Sequence, residues 1–184
     1  MIYLKFLLYT IPDFLSQIIG KALAPFLALL VGDDGHLPKC LWWFETDDHD
    51  CDGDKAHWER HPGTDPLSTW WRRTRWLFRN TCYNFAIHVL GVQVLPTDDF
   101  IVTGNPDASD TNGISGYCYR EVYRNGKLIC FQIYHIKHYQ IWKIKACIRL
   151  GIGWKLWGDW HENGGKIAQL QVYFNPFKCM TFEG

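Results

Sequence analysis

The sequence predicts an α+β fold, with helices in the first half and an antiparallel sheet, a meander, in the second. Three observations carry that expectation. Apolar residues recur at helical spacing through the first ninety or so positions. From Tyr117 onward, aromatic and β-branched runs are bounded by turn residues. Between two of those runs stands Asn125-Gly126, the composition of a type I′ hairpin turn. Helices first and strands later is the α+β order. The length, 184 residues, predicts a single domain over 1–184.

Residues 1–31 are apolar and read as helical. Pro12-Asp13 has the form of a helix start, with Pro in the first turn and a carboxylate near the positive end of the dipole. Beyond it Leu15, Ile18, Ile19, Ala22, Phe26, Leu29 and Leu30 share one face, and Ser16, Gln17 and Lys21 another. The stripe is expected to dock on the core. The alternative is a helix lying in a membrane interface, but its polar face has one Lys where such helices are usually basic. Pro12 and Asp13 interrupt the apolar run. This argues against a signal peptide and leaves no uninterrupted stretch for a transmembrane span. Pro25 is expected to kink or end the helix near Ala24.

Gly32-Asp33-Asp34-Gly35 is a turn, and Leu41–Phe44 is a strand or a buried turn. Residues 45–66 form an acidic loop punctuated by Gly53, Pro62, Gly63 and Pro66. Ser68 is expected to cap a helix over 68–90, closed by Gly91. Trp71, Thr74 and Phe78 share one face of it, and Arg72, Arg75 and Arg79 line another. The sheet occupies 100–178, with strands at Tyr117–Tyr123, Lys127–Tyr134, Tyr139–Arg149 and Ile167–Phe174. In the third, Ile141, Lys143 and Lys145 alternate with Trp142, Ile144 and Ala146, the pattern of a sheet with one wet face. Asn105–Gly116 is a polar loop.

Composition narrows the function classes. Ten Trp, nine Tyr and eleven Phe supply large burial energies and also contact surface. Net charge is zero, which argues against a dedicated nucleic-acid binder. The charge is uneven, however. Residues 33–65 hold ten acidic groups against three basic ones, and residues 66–184 hold eight against fourteen. The two halves either attract each other or face different partners. The seven cysteines form no CxxC, which points to reduced thiols and a cytosolic setting.

Asp48-His49-Asp50-Cys51-Asp52-Gly53, with Glu59 six residues on, fits the calcium-loop pattern. Alternate carboxylates would form an oxygen cage, Gly would permit the bend, and Glu would close the cage with both oxygens. Asp48, Asp50, Asp52, Asp54 and Glu59 are therefore candidate ligands for calcium or another divalent cation. The competing reading is a solvated acidic loop. His57 and His61 stand at i, i+4, so the same segment also suggests a metal-dependent hydrolase or nuclease site. Trp70, Trp71, Arg72, Arg75 and Arg79 combine residue types enriched in binding hot spots and are candidate partner contacts. The bland alternative is an amphipathic helix whose Arg face meets water or the acidic loop.

Several blocks resemble a family of small proteins encoded by tailed bacteriophages. They include Ala24-Pro25-Phe26-Leu27-Ala28-Leu29-Leu30, Leu41-Trp42-Trp43-Phe44-Glu45-Thr46, Trp76-Leu77-Phe78-Arg79-Asn80, Tyr83-Asn84-Phe85, Gly153-Trp154-Lys155-Leu156-Trp157 and Asn175-Pro176-Phe177-Lys178. The resemblance covers nearly the whole chain and implies a context, not a mechanism. It also implies that Asp52, Gly53 and Asp54 matter more than the full calcium pattern. The leading expectation is a phage accessory protein, non-enzymatic, in the host cytoplasm. It would bind a host protein or small signalling molecule and inhibit or redirect it, an antiviral defence factor being one such target. The metal-dependent hydrolase and a membrane-surface protein using residues 1–31 are the alternatives.

Overall fold

The structure, a computed structural model, describes residues 1–110, 113–142, 144–156 and 166–179. Lys143 and Trp157, which belong to motifs noted above, lie outside the described residues. Helices come first and an antiparallel sheet follows, so the chain is α+β. Its contacts group into two compact units, Leu8–Leu90 and Met1–Leu7 with Gly91–Gly184.

Helix α1 spans Ile2–Leu27 and belongs to the sheet unit only through its first turns. It starts ten residues before the expected Pro12-Asp13 start, and both Pro12 and Pro25 lie inside it. Leu, Phe and Tyr in residues 2–11 are good enough helix formers to extend the helix back past the prolines. A lost amide donor is tolerated where neighbouring contacts hold the backbone. At Pro25 such a contact comes from Trp70, whose Nε1 donates to the Pro25 carbonyl at 2.9 Å.

In the helical unit a 3₁₀ turn at Lys39–Phe44 precedes α2 (Lys55–Arg60), α3 (Pro66–Arg79) and α4 (Tyr83–His88). The expected acidic loop thus contains a helix, because Asp54 caps α2 by accepting from His57 N at 2.7 Å. The expected 68–90 helix is two helices. Its cap is Asp65, whose Oδ1 accepts from the amides of Leu67 and Ser68, each at 3.1 Å. Pro66 follows at the first helical position, where its missing amide costs nothing. The break comes at Cys82, which takes a left-handed conformation, φ 61°. Thr81 beside it packs on α1 so closely that a Cβ at Gly20 would stand 2.0 Å from Thr81 Oγ1. Ala24 and Leu27 of α1 and Ala28 just beyond it, with Leu37, Cys51 and Leu77, form the core of this unit.

In the sheet unit the order is β2 (Asp99–Gly104), β3 (Gly116–Arg124), β4 (Lys127–Ile141), β5 (Ile144–Trp154) and β7 (Leu170–Cys179), all neighbours antiparallel. A short β1 (Val92–Gln93) pairs separately with β6 (Ile167–Ala168). The β3–β4 turn is Asn125-Gly126 as expected, with φ of 52° and 71°. Strand β2 falls within the expected sheet range from residue 100, although no strand was assigned to it, and Asp99 and Gly104 stand at its ends. The expected strand Tyr139–Arg149 is instead a hairpin. Ile141 and Ile144 pair across it, and Trp142 turns with φ 56°. A two-residue turn without Gly or Asn leaves the period-2 pattern looking continuous, which is why the alternation misled. The core here holds Val122, Ile136, Trp154 and Leu170, with Phe6 packed against Phe131 and Trp154 at ring distances of 5.4 and 5.7 Å. The six described cysteine side chains are free thiols, five of them buried.

Candidate functional site

Asp52 is the centre of the acidic segment, and it is clamped by α3. Its Oδ1 accepts from Arg72 Nη2 and Arg73 Nε, both at 3.0 Å, and its Oδ2 accepts from Arg73 Nη2 at 2.9 Å. Arg73 is thus bidentate, the stronger geometry for a carboxylate. Arg72 is 2% exposed, donates to the Gly63 carbonyl at 2.7 Å and stacks 3.5 Å over the Trp58 ring. Arg73 also reaches the Val31 carbonyl. Burial opposes the charge on Asp52, but the hydrogen bonds from Arg73 and Arg72 outweigh it and hold the carboxyl below the usual range.

The loop bends to deliver Asp52 because Asp50 Oδ1 accepts from the amides of Asp52 and Gly53, at 3.0 and 3.2 Å. Gly53 has φ 84°, and a Cβ there would stand 2.5 Å from the Trp76 ring. Only Gly fits this bend beside a buried Trp.

The candidate metal carboxylates therefore go to different tasks. Asp48 meets His49 at the surface, 3.1 Å away. Asp50 shapes the loop, Asp52 joins the Arg clamp, and Asp54 caps α2 and stands 3.6 Å from Arg79. Glu59 is carried out of the loop on α2, where it faces Lys55 at 4.0 Å. Among the described residues no group of three or more His, Cys, Asp or Glu is placed to hold a metal. The pattern misleads because α2 begins at Lys55 and removes the loop that Glu59 would have closed. Millimolar calcium is accordingly expected to leave the melting temperature within about 1 °C, since a ligand stabilises only by binding the folded state. A rise of several degrees, abolished by chelation, would restore the calcium reading.

The histidine pair suggested for hydrolysis is adjacent, with ring centroids 4.8 Å apart. His57 is buried, and its Nε2 donates to the Arg72 carbonyl at 3.0 Å. Burial lowers the His57 pKa, disfavouring the charged ring. It is a packing residue that ties α2 to α3.

The five candidate contact residues separate likewise. Trp70 packs against the helical core, and Arg72 is buried in the clamp. Trp71, Arg75 and Arg79 remain exposed, with Arg75 5.7 Å from the Trp71 ring and Arg79 4.7 Å from that of Trp76. Arg73, absent from the candidates, does more than any of them. Its position beside Arg72 was the only signal. The acidic segment and the Arg face of α3 answer each other within one unit, which accounts for much of the charge asymmetry.

A larger feature lies on α1. The spacing of its apolar stripe is as read from the sequence, but its direction is reversed. Thr10, Asp13, Gln17, Gly20 and Ala24 follow a helical line on the side turned toward the protein. The Ser16 carbonyl accepts from Cys82 Sγ at 3.2 Å on that side. Asp13 Oδ1 is buried without a hydrogen-bond partner among the described residues, and burial pushes this carboxyl up to about 6. On the other side Leu8, Ile11, Phe14, Leu15, Ile18, Ile19 and Phe26 are each half or more exposed. Lys21 is the one charged residue among the exposed positions of the helix. By length and composition α1 is long and apolar enough to cross a membrane. Pro12 and Asp13, which interrupt the apolar run in the sequence, both lie inside this helix.

No curated protein and no solved structure matches the chain. A family model described as a family of unknown function, DUF7338, matches residues 1–181, and the chain belongs to that family.

Proposed function

We propose that the chain is a membrane-surface binding protein, held on a bilayer by the outward apolar face of α1. The observation that supports this is the inverted amphipathicity of the helix. Between Leu8 and Phe26, small and polar side chains meet the protein while Ile, Leu and Phe face outward. Contiguous exposed apolar surface of this extent marks an interaction site. A large side chain that is half exposed has roughly 1 kcal/mol left to gain on burial. Seven of them supply on the order of 7 kcal/mol before the cost of association, enough for stable attachment.

The geometry favours a helix lying in the interface over one crossing it. Tyr3 and Phe6 are engaged with the sheet, where Tyr3 Oη is 3.0 Å from Tyr119 Oη. Pro25, Leu27 and Ala28 are engaged with the helical core. A crossing helix would give up these contacts and turn Thr10, Asp13 and Gln17 toward lipid, an expensive exchange. The lack of basic residues on the polar face, which counted against an interfacial helix, has a physical reason. That face meets protein, so it needs no Lys for headgroups.

In the setting that the phage resemblance implies, the bilayer is a host membrane, and the exposed Trp71, Arg75 and Arg79 are a second surface for a host partner. The test is flotation of the full chain with phosphatidylcholine–phosphatidylglycerol vesicles. Co-flotation that resists carbonate extraction poorly supports the in-plane reading. Resistance to carbonate would instead indicate a spanning helix. A chain that stays at the bottom of the gradient as a defined dimer would assign the apolar face to self-association.

A further inference from the structure

The β4–β5 hairpin ends in a side chain that folding does not use. Trp142 is 92% exposed, more than any other large apolar residue beyond Met1 among the described residues. Ile141 and Ile144 flank it at 55% and 61%. The tip projects past its neighbour strand, since β3 begins at Gly116 opposite Ile136. Beyond Ile136 the ladder continues with β5 alone, although His138 is still held on the other side, its N donating to Ser115 Oγ and its Nε2 to the Ser109 carbonyl, each at 2.9 Å.

The tip also carries backbone strain. Trp142 has φ 56°, a left-handed conformation that costs a residue with a Cβ roughly 1–2 kcal/mol. The β3–β4 hairpin of the same sheet meets this demand with Asn125-Gly126, the favoured pair for such turns. Here the sequence places the largest side chain in the strained position and leaves it exposed, without a packing partner among the described residues. Strain that no contact repays marks a functional position.

The surrounding charge indicates what the side chain meets. Residues 137–145 contain Lys137, Lys143 and Lys145 and no acidic residue. An apolar Trp–Ile tip in a basic segment suits the boundary of an anionic bilayer. Trp prefers the headgroup level there, and each nearby cation adds attraction to acidic lipid.

We infer that the Ile141–Ile144 tip is a second membrane contact that inserts Trp142 among the headgroups of an anionic lipid surface. This rests on the membrane reading above but on a separate element. The tip would select the lipid by its charge, while α1 supplies apolar area.

Binding of the full chain is compared on vesicles of phosphatidylcholine alone and with a third phosphatidylglycerol. The chains compared are the wild type, Trp142→Gly, Lys137→Glu and the α1 variant Ile11→Glu/Ile18→Glu. Trp142→Gly is expected to bind the anionic vesicles about tenfold more weakly and to melt at a higher temperature, because Gly relieves the turn. A Trp with a merely structural role would lower both. Lys137→Glu is expected to reduce binding to the anionic vesicles and leave that to neutral ones unchanged. Wild type binding with Trp142→Gly within twofold of it would overturn the tip and leave the α1 reading standing. Residual anionic binding by the α1 variant that Trp142→Gly removes would support the tip alone. Wild type that binds neither vesicle overturns both.

Discussion

Replacing Ile11 and Ile18 together by Glu is expected to weaken vesicle binding on the order of a hundredfold while the melting temperature moves by no more than about 3 °C. Both side chains are half or more exposed on the outward face of α1, one heptad apart. Each exchange removes about 1 kcal/mol of apolar burial and sets a carboxylate at the lipid boundary, for a combined loss of roughly 3 kcal/mol. That corresponds to about two decades in affinity. In the folded protein neither residue belongs to the buried core, so stability should respond as it does to a surface change. Equilibrium binding to vesicles, paired with a thermal melt, reads the two effects separately. Unchanged binding would refute the membrane role of this face. A large fall in melting temperature would show that the face is covered by protein.

Asp52→Ala is expected to be the most damaging single substitution in the helical unit, costing about 3–5 kcal/mol, in the range for removing one partner of a buried ion pair. Arg72 is the reason. Its side chain is 3% exposed and already holds an Nε with no hydrogen-bond partner among the described residues, so it has little access to water once Asp52 is gone. At roughly 2–4 °C per kcal/mol for a chain of this size, the melting temperature should fall by about 10 °C. Asp52→Asn should cost less, because an amide oxygen still accepts from one guanidinium.

The pH dependence follows from the depressed carboxyl. Its contribution is fully present above the ordinary aspartate value near 4 and is lost as pH falls below it. Asp98, held low by Arg124, and Asp110, held low against burial by Lys178 and Arg149, act in the same direction in the sheet unit. Acid unfolding should therefore be steep below about pH 4 in wild type and shallower in Asp52→Ala, monitored by circular dichroism. A substitution that costs under about 1 kcal/mol would show the clamp to be a surface pair.

Much of the fold was legible in the residue pattern. Asn125-Gly126 placed one hairpin, and runs of β-branched and aromatic residues placed β3 and about half of β4 and of β7, because these signals are local; the expected strand Ile167–Phe174 joins β6 to the first half of β7, which pair in different sheets. The periodic stripe on α1 was legible for the same reason. Its direction was not, since a period of 3.6 says which side chains share a face but not what lies opposite. Thr81 against Gly20 and the core at Ala24 and Leu27 settled that, and they come from distant parts of the chain. The hairpin at Trp142 escaped notice because its turn breaks the usual Gly/Asn preference while keeping the alternation of the strands.

The acidic loop divides in the same manner. Sequence alone determined that residues 48–59 are rich in carboxylates at regular spacing, that Gly53 marks a sharp bend, and that an Arg-rich helix follows. Spacing along the chain could not say whether those carboxylates converge. Only the tertiary structure decided that Asp52 meets Arg72 and Arg73, that Asp54 caps α2 and that Glu59 is carried away on it. The physical reason is competition. Each carboxylate takes the nearest donor that the packed helices present, and two guanidiniums held against Trp58 and the Val31 carbonyl are a better partner for Asp52 than a shared cage would have been.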